Sequence, residues 1–293
     1  MTKRARASIL ALATVAILAA GEPAQGAFPG SNGKIAFLRQ SSTASRIYVM
    51  NPDASGQKNL SNSTRDFAPS WSANGGRIAF ASSRSGNSEI YVMSATGGSV
   101  HRLTFNSAFD TNPSWSPTGK IVFQSFRDGN GELYTMNSDG TGLRRLTFNA
   151  AFDGSPSWSP LGTRIAFESF RAGNGEIYTI RPDGTGLRRL TSNFVDDGSP
   201  NWSPDGRKIV FTSARSGATD IYVMNSDGSR QVRRTRSAAR DFDPAWSPNG
   251  GKIAFVSTRS GGRELYVMNR DGTGVRRLTR NRLADVAPDW QAR

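Results

Sequence analysis

The chain has 293 residues, with 37 Lys and Arg against 23 Asp and Glu for a formal charge of +14, no Cys and a single His. Lack of Cys excludes disulfides and a lipid-bearing N-terminal Cys, and one His excludes a three-histidine metal site, so the fold must hold by core burial. The positive excess favours acidic partners, whether anionic polymer, envelope surface or acidic protein, and says nothing about fold.

Residues 1–27 read as a cleaved export segment. Thr2-Lys3-Arg4-Ala5-Arg6 is a basic start, and Ser8 to Gly21 is an uncharged apolar run of 14 residues. A bilayer span needs roughly 20. Small residues follow, with Ala24-Gln25-Gly26 or the Gly26-Ala27 step as cleavage points. Loss of Lys3, Arg4, Arg6 and Glu22 leaves a charge of +12 on the mature chain. No later stretch is apolar enough to span a membrane, so a periplasmic or secreted location is expected, with one domain over residues 28–293.

That domain is a repeat. Trp71, Trp115, Trp158, Trp202, Trp246 and Trp290 are spaced by 44, 43, 44, 44 and 44 residues. Pro stands two residues before each Trp, and an Asp stands five before it (Asp66, Asp110, Asp153, Asp197, Asp241, Asp285). Within a unit, apolar pieces of four to six residues, rich in β-branched and aromatic side chains, alternate with Pro, Gly, Asn and Asp. Those are short strands between tight turns, and no helical period interrupts them. Four strands are predicted per unit: A around the Trp, B at Ile-Ala-Phe, C at Ile-Tyr-Val-Met and D at Arg-Arg-Leu-Thr. Four antiparallel strands per unit of this length make a propeller blade.

The chain starts at strand B (Gly33 to Phe37) and stops after a lone strand A (Asp285 to Trp290). Half a blade at each end makes one whole blade. The expected fold is therefore all-β: a six-bladed β-propeller of four-stranded antiparallel blades, closed by the C-terminal strand pairing into the first blade. The Trp residues are read as blade-interface core.

Strand order places the A–B and C–D turns on one face and the B–C and D–A connections on the other. The Asp-Gly turns at Asp139, Asp183, Asp227 and Asp271 offer one or two ligands each, where calcium takes six to eight oxygens, and read as hairpin turns. The other face carries the candidate binding residues. Arg84, Arg127, Arg171, Arg215 and Arg259 follow strand B, and Glu89, Glu132, Glu176, Asp220 and Glu264 stand five residues later. With the six Asp of the D–A connections they form rings of Arg and carboxylate around the axial opening. The competing reading is internal pairing that holds the loops.

Blade one departs, with Ser41 in place of the Arg and Arg46 in place of the carboxylate. Phe105, Phe109, Phe126, Phe148, Phe152 and Phe170 gather on the same face as a candidate partner patch, or as satellite core if they pack between loops. Strand D is basic (Lys58, Arg102, Arg144, Arg145, Arg188, Arg189, Arg233, Arg234, Arg276, Arg277), which deters edge pairing and would draw polyanions.

The strings Pro-x-Trp-Ser-Pro-x-Gly-x-x-Ile-Ala-Phe, Ser-x-Arg-x-Gly, Glu-Ile-Tyr-Val-Met-Asn and Arg-Arg-Leu-Thr resemble the WD-repeat-like propeller of the TolB family, from about Gly33 to Trp290. The resemblance implies a non-catalytic binding module of the cell envelope that engages an outer-membrane lipoprotein and helps maintain envelope integrity. The α/β domain that precedes the propeller in that family is not expected here. Similar propellers are joined to hydrolase peptidases and occur in a pectic-oligosaccharide lyase.

The expected function is thus a non-enzymatic interaction scaffold with an envelope protein as partner. It would act as a monomer, without cofactor or metal and without nucleic acid. One alternative is binding of an acidic envelope polysaccharide through the basic rim or axial Arg ring. Another is a propeller lyase or glycoside hydrolase using a carboxylate pair.

Overall fold

A computed structural model describes residues 26–293, so the expected export segment lies outside the described residues except for its last two positions. Blade one holds β1 (Asn32–Gln40), β2 (Ser45–Met50) and β3 (Lys58–Asn59), and blade two β4 (Asp66–Trp71), β5 (Arg77–Ser82), β6 (Glu89–Ser94) and β7 (His101–Arg102). Blade three holds β8 (Asp110–Trp115), β9 (Lys120–Ser125), β10 (Glu132–Asn137) and β11 (Arg144–Arg145). Blade four follows with β12 (Asp153–Trp158), β13 (Ile165–Ser169), β14 (Glu176–Ile180) and β15 (Arg188–Arg189). Blade five has β16 (Asp197–Trp202), β17 (Lys208–Ser216), β18 (Ala218–Asn225) and β19 (Val232–Arg233). Blade six has β20 (Asp241–Trp246), β21 (Lys252–Ser257), β22 (Glu264–Asn269) and β23 (Arg276–Arg277), after which β24 (Ala284–Ala292) ends the chain.

Each blade is one four-stranded antiparallel sheet, and β24 supplies the first strand of blade one in the order β24-β1-β2-β3. The strands β24, β4, β8, β12, β16 and β20 each touch the next and close a circle, which makes them the innermost ring. The outermost strands are only two residues long and lie at the exposed rim, so little open edge remains for another chain to pair with. This is the predicted six-bladed fold.

Inner and middle strands are buried on both faces because each blade is covered by a neighbour on either side. Phe37, Phe80, Phe123, Phe167, Phe211 and Phe255 are fully buried, and the six Trp are between 1 and 4% exposed. None of the six indole N–H groups has a hydrogen-bond partner among the described residues, so these rings act through volume. The Trp backbone does make directional links. Trp71 N–H donates to Asp289 Oδ2 (2.6 Å), Trp158 N–H to Ser114 Oγ (3.1 Å) and Trp246 N–H to Asn201 Oδ1 (2.9 Å), each across a blade boundary.

Two backbone devices recur. The third residue of each innermost strand segment that begins at the repeat Asp has φ near +50° (Ala68, Asn112, Ser155, Ser199, Asp243, Ala287), and the register with the second strand shifts there. That β-bulge bends the strand around the axis. At the Asp139-Gly140 turn, Gly140 has φ +88° and a Cβ there would lie 2.7 Å from Leu103 O of the preceding blade. Only glycine lets the turn approach that closely. Asp139 Oδ1 accepts from Thr141 N–H and Oγ1, which holds its carboxyl below the usual value and closes the loop internally.

The seam is extensive. Ile35 pairs with Trp290 and Arg39 with Asp285, while Ser31 and Arg293 exchange backbone hydrogen bonds of 2.8 and 3.1 Å. Ahead of β1, residues 26–28 cross the axis at the turn end. Gly26 lies against Trp158 O, Ala27 N–H donates to Trp202 O (3.2 Å), and buried Ala27 belongs to the Trp246 cluster. Phe28 is buried with Ala68, Trp115 and Ala292. Gly26 and Ala27 are the last two positions of the expected export segment, and Phe28 is the first of the expected domain.

Two carboxyls sit inside blade interfaces. Asp289 is buried, and desolvation raises its pKa well above the usual range. Glu168 of β13 stands where blades one, two and six carry Leu38, Ala81 and Val256, and accepts from the Ser199 N–H. Burial, with repulsion from Asp196 and Asp197, pushes its carboxyl up to about 7.

Three outcomes follow. Removing residues 285–293 strips β24 from β1 and should abolish cooperative thermal unfolding at the wild-type temperature; an unchanged melt would refute closure. Trp71→Ala should cost about 3–5 kcal/mol in denaturant titration, and Trp71→Phe roughly less than half of that, since no indole hydrogen bond is lost. Folded Glu168 keeps its proton to higher pH than the unfolded chain does, so stability falls as pH rises from about 4.5 through about 7. Glu168→Gln should therefore gain on wild type across that window, by on the order of 2 kcal/mol. A melting-temperature difference that does not change with pH would contradict this.

Candidate functional site on the loop face

The B–C and D–A connections share one face, and the repeated charges there form two layers. In the first, Arg84, Arg127, Arg171, Arg215 and Arg259 each bind the Asp that opens the innermost strand of the same blade (Asp66, Asp110, Asp153, Asp197, Asp241) at 2.5–2.8 Å. Their Nε atoms donate to Ser82, Ser125, Ser169, Ser213 and Ser257 at 2.7–3.0 Å. Each guanidinium also lies over a strand-C tyrosine, 4.6–5.1 Å from the ring centre. Burial raises the carboxyls of Asp110, Asp153 and Asp197, against the pull of the Ser hydroxyl and the Arg. A charge so enclosed is costly unless paired, and each is paired.

The second layer is farther from the axis. Glu89, Glu132, Glu176, Asp220 and Glu264 bind Arg102, Arg145, Arg189, Arg233 and Arg277 of the outermost strand at 2.7–3.1 Å. Half of the basic rim is thereby neutralised. Asn106, Asn149, Asn193 and Asn281 tie the layers together: each backbone N–H donates to the glutamate, and each side-chain amide donates to the next Asp at 2.7–2.8 Å. Their signal was the spacing Arg-x-Thr-x-Asn-x-x-x-Asp, present four times. The repeated Arg and carboxylates thus pair within and between blades.

Blade one keeps the first layer by another route. Ser41 caps its own loop by accepting the Ala44 N–H (3.0 Å), and the guanidinium comes from Arg39, two residues after Phe37. Arg39 binds Asp285 through Nε (2.7 Å) and Nη2 (2.8 Å) and lies 4.6 Å from the Tyr48 ring centre, as its counterparts do in their blades. The second layer is absent there. Arg46 stands at the glutamate position and Asn59 at the outer Arg position, opposite Tyr48.

The aromatic residues divide. Phe126, Phe152 and Phe170 form a run with centroids 6.2 and 5.8 Å apart, and the Phe109 carbonyl accepts the Phe126 N–H. Phe105 and Phe148 instead project, 74 and 72% exposed, each over the guanidinium of Arg102 or Arg145 at 4.6 Å. Phe194, in the next D–A loop, is fully exposed and was missed because it falls outside the repeat register. The D–A loops after blades five, six and one carry exposed Arg236 and Arg240, Arg280 and Arg282, and Arg65. None of these five guanidiniums has a side-chain partner among the described residues. The face is apolar on one half and cationic on the other.

Among the described residues, no group of three His, Cys, Asp or Glu is gathered where a metal could bind, and His101 lies exposed on β7. No helix among them is long and apolar enough to cross a membrane.

Among solved structures, TolB from Acinetobacter baumannii superposes with a TM-score of 0.82 at 23% identity, covering 91% of this chain and 68% of that one. A protein assigned as TolB from Agrobacterium tumefaciens gives 0.73 at 26% identity, covering 86 and 92%. An oligogalacturonate lyase in complex with manganese shares the fold at 0.61 and 14% identity, covering 88 and 77%. No match was found among curated protein sequences. The family profile described as the TolB β-propeller domain matches residues 25–153 and 150–241. With six blades of four strands, a seam closed by β24 and this match over most of its length, the chain belongs to the TolB β-propeller domain family.

Proposed function

We propose that the chain is a non-catalytic protein-interaction scaffold outside the cytoplasm, in the periplasm or secreted, that engages an envelope protein through its loop face. The observation that carries this reading is the set of projecting phenylalanines, Phe105, Phe148 and Phe194, on three consecutive D–A loops. Large apolar side chains held out from a rigid rim, with Phe105 and Phe148 fixed by stacked Arg102 and Arg145, are suited to enter pockets on a partner. The carboxylates that a glycoside-cleaving reading would use are already engaged by Arg, Ser, Thr and Asn, which supports a structural role for them. The family fold and the expected export segment agree with an extracytoplasmic binding module.

The test is capture from an envelope extract by immobilised protein at low and high salt. Wild type should retain a protein partner at high salt, and Phe105→Ser with Phe148→Ser should release it. Both sites are exposed, so the double variant should melt within a few degrees of wild type. Capture that is lost at high salt in the wild type would overturn the apolar contact. Glycan turnover abolished by Glu132→Gln would overturn the non-catalytic reading.

A further inference from the structure

Blade one, which keeps the first charge layer through Arg39, has in place of the second a cleft of about 630 Å³ between blades one and two. Arg46, Asn59, Ser61, Asn62, Ser63, Thr64 and Arg84 line it. In the other five blades the same position holds a carboxylate clamped by an outer Arg. Here the charge is inverted. The Arg46 guanidinium has no hydrogen-bond or ion-pair partner among the described residues, and the outer Arg has become the shorter, neutral Asn59.

The register sharpens the point. Arg46 stands directly across from Arg39 in the β1–β2 pair, where the other blades set Ser against Glu or Asp. Like charges opposed on neighbouring strands repel. Arg39 is satisfied by Asp285, and Arg84 by Asp66 and by Asn62 Oδ1 (2.9 Å), so neither carboxylate is left for Arg46. Exposed Arg65 on the adjoining loop adds positive charge. The rest of the lining is hydroxyl and amide, without an apolar wall.

We propose that this cleft is a binding site for an acidic saccharide unit, its carboxylate held by Arg46 and its hydroxyls by the Ser, Thr and Asn side chains. A guanidinium receives a carboxylate through paired N–H bonds, and short hydroxyl and amide groups match the alternating donors and acceptors of a sugar. The cleft admits about one or two sugar rings. The site does not rest on the protein-partner reading, since the projecting phenylalanines lie on other loops.

The purified protein is titrated calorimetrically with glucuronate, glucose and inorganic phosphate. Glucuronate should bind, glucose should not, and Arg46→Gln should weaken glucuronate at least about tenfold, the loss of one charge-assisted contact. The double variant Arg46→Glu with Asn59→Arg rebuilds the pair of the other five blades. It should melt at or above the wild-type temperature and bind no glucuronate. Glucuronate binding unchanged by either variant would overturn the site. Absence of glucuronate binding to a correctly folded wild type would overturn it also. Phosphate binding as tightly as glucuronate, with equal loss in Arg46→Gln, would overturn the saccharide and leave a simple oxyanion site.

Discussion

A sheet that is apolar on both faces must be covered on both, and that requirement governs this molecule. The inner and middle strands of every blade are buried over most of their length, so no blade can serve as an end. In an open stack the terminal units need polar outer surfaces; in a ring they need each other. The pairing of β24 with β1 is the contact that turns six half-satisfied sheets into a closed core. The Trp set contributes cohesion through volume, and the bulges near φ +50° give each innermost strand the bend that circular closure demands.

Polar groups obey the same economy on the loop face. The two charge layers immobilise connections that have no ladder of their own, and asparagines such as Asn149 carry the linkage from one blade to the next. Once Arg and carboxylate are mutually engaged, repetition offers a ligand nothing distinctive. Specific recognition is left to positions where the repeat fails. Those are the projecting phenylalanines on one side of the face and the arginines on the other, with Arg46 where five blades hold a carboxylate.

Most of the architecture could be read from residue spacing, because blade, strand order and seam depend on the recurrence of Trp, Pro, Asp and Gly. The site was legible only in part. Arg39 was overlooked because spacing after Phe37 pointed to Ser41, whereas a long side chain starting two residues earlier reaches the same carboxylate from β1. The expected axial ring of Arg and carboxylate resolved into two layers because Glu89 and its counterparts reach outward to strand D, a choice made by side-chain direction and not by order in the chain. Glu168 was visible in principle as one acid in a column of Leu38, Ala81 and Val256. The packing of Phe28 could not be read from the sequence, since it belongs to no repeat and its partners lie on separate blades.

Phe28 has a consequence for how the molecule comes into being. Phe28, the first residue expected to remain after export, precedes every blade in synthesis, yet it is buried in one cluster with Ala68 of blade two, Trp115 of blade three and Ala292 of β24. β1 likewise waits for the nine residues of β24, 284–292, to be made. Nucleation can begin in any hairpin, but the strand that opens blade one and the strand that completes it find their places together, in contacts spanning more than 250 residues such as Ser31 with Arg293. A chain that stops short of β24 therefore leaves Phe28 and β1 unhoused, and one that includes it covers both in the same step. Burial of residue 28 is in effect a sign that the seam has closed.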